Sequence, residues 1–161
     1  MAHRLDSLLR PRSIAVLGAT EREGSVGRHT IENLLNGGYE GRLYAVNPGR
    51  SSVCGVPCFP SLAKLPEPVE HVIFAVADTR VEAALDEVIT HGAKAVTLMS
   101  SLVLASDSEP PLRDRVLAKI RAAGLLVCGA NGMGFYNFSE GIWACGFRTR
   151  MHRRGGNVAY I

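Results

Sequence analysis

No uninterrupted apolar run in the 161 residues approaches the roughly 20 that a membrane-spanning helix requires. The opening "MAHRLDSLLRPRS" has no apolar core followed by a small-residue cleavage site, so it does not read as a secretory signal; the expectation is a cytoplasmic protein with no membrane role. Cysteine is sparse. Cys54 and Cys58 form a C-x3-C pair without a second ligand pair or a nearby histidine, and Cys128 and Cys145 stand apart. A zinc site needs about four ligands at recognisable spacing, so these read as buried free thiols and no metal is expected. An excess of one charge is missing too. The net charge is +3, and the four arginines of "RTRMHRRGG" at 148–156 outweigh it alone. The rest is near neutral, without the footprint of a nucleic-acid-binding protein, and the arginine cluster reads as a solvated loop before a last strand.

What is present is an ordinary globular mixture, 47% apolar and 20% charged, in a length that suits one domain. Short apolar runs alternate with amphipathic helical patterns. Strands are expected at 13–18, 42–48, 69–77, 94–100 and 125–131, and strand-like runs at 141–147 and 157–161. Helices are expected at 26–38, stopped by Gly37–Gly38, at 79–92 with Asp78 as its cap, and at 109–124 with Pro110 and Pro111 in its first turn. Residues 49–68, rich in Gly and Pro, read as a loop with one helical turn at 61–65. This alternation specifies an α/β fold: a doubly wound, mostly parallel, Rossmann-like sheet with helices on both faces. "NVAYI" ends at Ile161 without a turn or cap, so residues 1–161 read as one domain at the N-terminal part of a longer chain, with 157–161 beginning the next segment.

In such a sheet, ligands bind beyond the carboxyl ends of the strands. The first of these ends is "SIAVLGATEREGSVG", with glycines at 18, 24 and 27. The spacing is longer than the G-x-G-x-x-G of most dinucleotide sites, but the position between first strand and first helix is the same. A helix beginning near Ser25 exposes unpaired N–H groups and the positive end of its dipole. Thr20 and Ser25 offer hydroxyls, and Arg22 and Arg28 offer charge. The same pattern also suits a plain strand-to-helix turn with a serine cap. At the end of the second strand "VNPGR" supplies no carboxylate for ribose hydroxyls and does supply Arg50, which suits a phosphorylated ribose. NADP and coenzyme A both carry one, and this local chemistry does not separate them.

The order P-x-S-I-A-V-x-G-A (11–19), G-S-V-G (24–27), G-x-x-Y-x-V-N-P (41–48) and V-x-G-V-P-C-F-P-S-L (53–62) resembles the NDP-forming acyl-CoA synthetases, which share a CoA-binding domain with the succinyl-CoA synthetase alpha subunit. The resemblance covers almost the whole chain. It implies coenzyme A as ligand, with Thr20, Gly24, Ser25, Val26 and Gly27 facing its phosphates and adenosine, and Arg50 where the family has a CoA-contacting lysine. It implies Val76 and Ala77 at the adenine end, and Met99, Ser100 and Ser101 along the pantetheine arm. Asn131 matches the asparagine of the family's G-P-N motif, and Gly18, Asn47 and Pro48 complete the binding set. The chain departs from the family at Ala130, at Gly132 and in "SSLVLASDSE", all near the thiol end.

The family's phosphorylated histidine lies in a following domain, and none of His3, His29, His71, His91 or His152 stands in a matching motif; each reads as a surface or partly buried structural residue. No catalytic residue is therefore expected in this chain. Ser100–Ser101 lacks a G-x-S-x-G elbow, Glu82, Asp86 and Glu87 read as solvated charge on a helix, and Trp143 and Phe147 read as core packing. The resemblance implies an acid–CoA ligase with ATP or ADP and Mg handled elsewhere, by an ATP-grasp domain or subunit and a phosphohistidine domain. The alternatives are an NADP-binding oxidoreductase domain, for which no hydride-transfer pair is evident, and a non-catalytic CoA or nucleotide sensor.

Overall fold

The computed structural model of the protein describes residues 3–149. The strand expected at 157–161 and positions 150–156 of the arginine cluster lie outside the described residues. A short helix α1 (Asp6–Leu9) precedes β1 (Ser13–Leu17), α2 (Val26–Gly37) and β2 (Arg42–Val46). Then come β3 (Ser52–Val53), β4 (Val56–Phe59), a 3-10 turn (Leu62–Lys64) and β5 (His71–Phe74). The chain continues through α3 (Asp78–His91), β6 (Ala95–Leu98), α4 (Leu112–Ala123), β7 (Leu126–Gly129), β8 (Gly134–Asn137) and β9 (Ile142–Cys145).

β1 to β7 form one sheet in the order β3-β4-β2-β1-β5-β6-β7, and β8 and β9 form a separate antiparallel pair. Only β3 runs antiparallel to its neighbour in the large sheet. Without that short edge strand the order is the 3-2-1-4-5-6 of a doubly wound sheet, so the expected fold is found, with its switch of direction between β1 and β5. All five residues of β1 are buried, as a central parallel strand covered on both faces requires.

Two apolar layers flank the sheet. On one face Val81, Leu85 and Val88 of α3 and Val116 and Ile120 of α4 pack on Val72, Phe74, Val96 and Leu98. On the other face Ile31 and Leu34 of α2 pack on Ile14, Val16 and Ile73. Burying each such side chain contributes about 1.5–3 kcal/mol. The β8–β9 hairpin shares this second face, bringing Ile142 and Ala144 into the same layer. Gly37 makes the close approach possible: a Cβ there would lie 2.4 Å from the Gly141 carbonyl oxygen and 2.8 Å from Trp143 Cγ.

Several local expectations are corrected. The stretch 49–68 is not loop alone. Cys54 and Gly55 have φ of 49° and 79°, the two positive values a type I′ hairpin turn needs, and β3 and β4 form around them. The expected 61–65 turn is present as the 3-10 turn. Pro110 and Pro111 both precede α4, and the Asp107 carboxylate accepts the Leu112 N–H at 2.7 Å. Glu82 and Asp86 are not simply solvated: Arg115 and Lys119 of α4 pair with them at 3.0 and 2.7 Å. β8 falls in a stretch given no strand beforehand. Trp143 is buried, as expected, whereas Phe147 is 56% exposed.

Candidate ligand site at the carboxyl edge of the sheet

β1 ends at Leu17, and at the next residue, Gly18, φ is +86° and a Cβ would lie 2.5 Å from the Ala75 carbonyl oxygen. Only glycine lets β1 leave the sheet so close to the end of β5. Gly27 does the matching service for α2, since a Cβ there would come 2.6 Å from the Gly18 carbonyl oxygen. The space that its missing side chain opens is filled by that carbonyl, so Gly27 seats the helix on the strand. Gly24 differs: its φ is +71° and nothing lies within 4 Å of where a Cβ would stand.

Ser25 caps α2 from an extended conformation. Its Oγ accepts the Arg28 N–H at 3.3 Å and donates to the Arg22 carbonyl at 2.6 Å. The first two amides of the helix, Val26 and Gly27, have no hydrogen-bond partner among the described residues. The helix tip is therefore capped at one amide and leaves two without a partner among the described residues, the exposed Val26 and the buried Gly27, beside the bare surface of Gly24. The Arg28 guanidinium is already engaged, donating to Glu32 at 2.7 Å and to the Glu21 carbonyl at 2.9 Å. Arg22 and Arg50 are exposed and form no hydrogen bond or ion pair through their side chains among the described residues.

A cleft of about 230 Å³ opens at the switch between β1 and β5. Gly18, Asn47, Pro48 and Val76 line it, and so do Thr79 and Arg80 of the first turn of α3. Asn47 shapes its rim: Nδ2 donates to the Ala19 carbonyl at 2.8 Å, and Oδ1 accepts the Gly49 N–H at 3.0 Å. Sequence reasoning did not single out Thr79 and Arg80. The helix that follows the strand beyond the switch point was the available signal, since its first turn faces the crevice. Thr20, whose Oγ1 accepts the Arg22 N–H at 3.3 Å, and Ala77, exposed at the start of α3, lie on the same edge of the sheet.

The remaining expected residues gather at the far side. Ser100 Oγ donates to the Val76 carbonyl at 3.2 Å, and the Ser100 carbonyl accepts the Asn131 N–H at 2.8 Å. Ser101 Oγ donates to Asp78 Oδ2 at 2.8 Å. Asp78 therefore does not cap α3 with its side chain as expected; it ties down the loop after β6. Met99 and Val26 both flank Gly146, whose Cβ would meet the Met99 sulfur at 2.6 Å and Val26 Cγ1 at 3.0 Å.

A second element was not foreseen. Asn33, buried on α2, donates from Nδ2 to the Cys145 and Phe147 carbonyls at 2.8 and 2.6 Å, and its Oδ1 accepts the Thr149 N–H at 3.2 Å. It fixes the strand end that carries Gly146 next to the helix tip. His71, which opens β5, and His91, which ends α3, lie away from this edge of the sheet. His71, expected on the surface or only partly buried, is fully buried between the sheet and Phe135, with Nε2 2.9 Å from Thr97 Oγ1, because it opens a strand covered on both faces. Burial pushes its pKa down to about 3. His91 accepts the Val69 N–H, and His29 approaches the Gly146 carbonyl. Of the four free thiols, Cys58 and Cys145 are buried and Cys54 and Cys128 half-buried; burial raises the pKa of Cys54, Cys58 and Cys128.

A family model described as the CoA binding domain matches residues 12–137. An ADP-forming acetate–CoA ligase of Archaeoglobus fulgidus is 31% identical over 158 residues, 98% of this chain and 22% of that protein. A trans-feruloyl-CoA synthase from an unidentified prokaryote is 32% identical over 139 residues, 85% of this chain and 20% of its own length. Among solved structures, the dinucleotide-forming acetyl-coenzyme A synthetase 1 of Ca. Korarchaeum cryptofilum, in complex with phosphate and ADP, superposes with a TM-score of 0.81 at 25% identity, covering 88% of this chain and 30% of that one. The chain thus spans about a fifth of the length of the two relatives compared by sequence.

Proposed function

The chain belongs to the CoA-binding domain family, and from that premise we propose that it holds the nucleotide of coenzyme A for an ADP-forming acid–CoA ligase. The parent reaction joins a carboxylic acid to the CoA thiol while ATP becomes ADP and phosphate. The observation that carries the assignment is the tip of α2: two amides, Val26 and Gly27, without a partner among the described residues, beside the uncovered Gly24. Those amides, with the helix dipole behind them, suit the CoA diphosphate. Arg50 suits the ribose 3′-phosphate, because a guanidinium with no hydrogen-bond or ion-pair partner among the described residues can meet a phosphate in two parallel bonds. The cleft at the switch point, with Asn47, Pro48 and Val76 in its lining, receives the adenosine. Met99, Ser100, Ser101 and Asn131 line the course of the pantetheine arm.

This domain's contribution is position. Holding the nucleotide at one edge of the sheet sets the distance at which the thiol arrives, and no proton transfer or covalent step is assigned to these residues. ATP, Mg and the phosphohistidine belong to an ATP-grasp unit and a further domain of the parent. Calorimetric titration with CoA, dephospho-CoA and NADPH tests the reading. CoA should bind most tightly, dephospho-CoA about tenfold or more weaker for want of one charge-assisted contact, and NADPH weaker still. Binding of NADPH as tight as that of CoA would overturn it.

A further inference from the structure

Glu21 is out of place in a loop built for an anion. A carboxylate beside a diphosphate is repelled by it, and the eight residues from Gly18 to Ser25 carry two, Glu21 and Glu23, on either side of Arg22; of the two, Glu21 is the one with side-chain partners among the described residues. Its contacts explain why it is there. Glu21 Oε1 accepts the backbone N–H of Cys54 at 2.6 Å, and Oε2 lies 3.8 Å from Cys54 Sγ. Cys54 is the first residue of the β3–β4 turn, with a positive φ of 49°. The Glu21 backbone is held from the other side, since Arg28 of α2 donates to its carbonyl at 2.9 Å.

The hairpin needs such a hold. β3 is a two-residue edge strand that pairs Ser52 with Pro57 and Val53 with Val56, and Pro57 brings no N–H to the ladder. Beyond the β3 ladder, Cys58 N–H meets the Ser51 carbonyl at 2.9 Å. Arg50 stands just before β3, so whatever fixes the hairpin also fixes where its guanidinium starts from. Resting on the reading above, we propose that Glu21 is a positioning residue: it clips the hairpin to the glycine loop and so holds Arg50 in register with the α2 amides.

The clip needs an acceptor oxygen, not a charge, and this separates two variants. Glu21→Ala removes the acceptor. The preference for CoA over dephospho-CoA should fall from about tenfold or more to about two- or threefold, because Arg50 is no longer pre-placed for the 3′-phosphate. Glu21→Gln keeps an amide oxygen for Cys54. It should retain the preference while binding both ligands about two- to fivefold more tightly through loss of the repulsion. In an Arg50→Ala background, Glu21→Ala should change the ratio no further. A wild-type ratio in Glu21→Ala would overturn the clip while leaving CoA binding intact; a wild-type protein that binds no CoA would overturn the reading beneath it. Hydrogen exchange on the wild type is an independent check, since the Cys54 amide should be protected in the free protein and unprotected exchange there would refute the contact.

Discussion

Asp78 and Leu102 are joined across two loops: Asp78 Oδ1, at the start of α3, accepts the Leu102 backbone N–H at 2.8 Å. Leu102 is buried with a positive φ of 59°, so the bond holds a conformation that a leucine rarely adopts. With Ser101 on the other carboxylate oxygen, Asp78 determines the path of the chain leaving β6. Asp78→Ala should cost about 1–3 kcal/mol of stability. It should also weaken CoA more than adenosine 3′,5′-bisphosphate, which lacks the pantetheine arm. Urea unfolding and paired titrations with the two ligands measure this; equal losses for both would place the loop away from the arm.

Arg50→Ala should weaken CoA by about 1.5–3 kcal/mol and leave dephospho-CoA nearly unchanged, since one charge-assisted contact to the 3′-phosphate is lost and the diphosphate contacts remain. Calorimetry at two salt concentrations checks it. The difference between the two ligands should shrink at high salt in the wild type, because the side chain is exposed and screened.

The parallel strands and helices α2, α3 and α4 were legible because the buried runs are mainly apolar and most strand–helix connections are short. β1 is buried throughout, so its run of Ile14 to Leu17 has no polar interruption. The β3–β4 hairpin was obscured by Pro57 and Pro60, although the two-residue turn Cys54–Gly55 between valines was a local signal for it. At the site, the glycine loop and Arg50 could be read because phosphate chemistry restricts residue type and place. Glu21, Asn33 and Asp78 could not be given their contacts. Each uses a side-chain polar group to hold a backbone group 24 or more residues away, and neither periodicity nor spacing encodes such a bond.

Asn33→Ala should destabilise the domain by about 1–3 kcal/mol, because it leaves the carbonyl of buried Cys145 without its donor. Asn33→Asp should cost more, since a carboxylate would face the Cys145 and Phe147 carbonyls and repel both. Chemical denaturation ranks the two variants. Limited proteolysis should cut near Phe147 sooner in each than in the wild type, as the strand end loses its tie to α2.

His71 makes stability depend on pH in a window that can be isolated. Burial lowers its folded-state pKa to about 3, below the unfolded value of about 6.5, so the native protein keeps it neutral while the unfolded chain takes up a proton. The contribution is fully present above pH 6.5 and is lost as pH falls from there toward 3, at up to about 1.4 kcal/mol per pH unit. His91 is shifted in the same direction by burial, and Glu70, held low by the Arg12 backbone and guanidinium, adds its own loss only at carboxylate pH. Urea unfolding of the wild type at pH 7 and pH 5 therefore includes both histidines. The same pair of measurements on His71→Gln, which removes the titrating group and keeps a partner for Thr97, should show a smaller drop. If the drop is unchanged in His71→Gln, the buried ring does not govern acid sensitivity, and His91 is left as the group to substitute next.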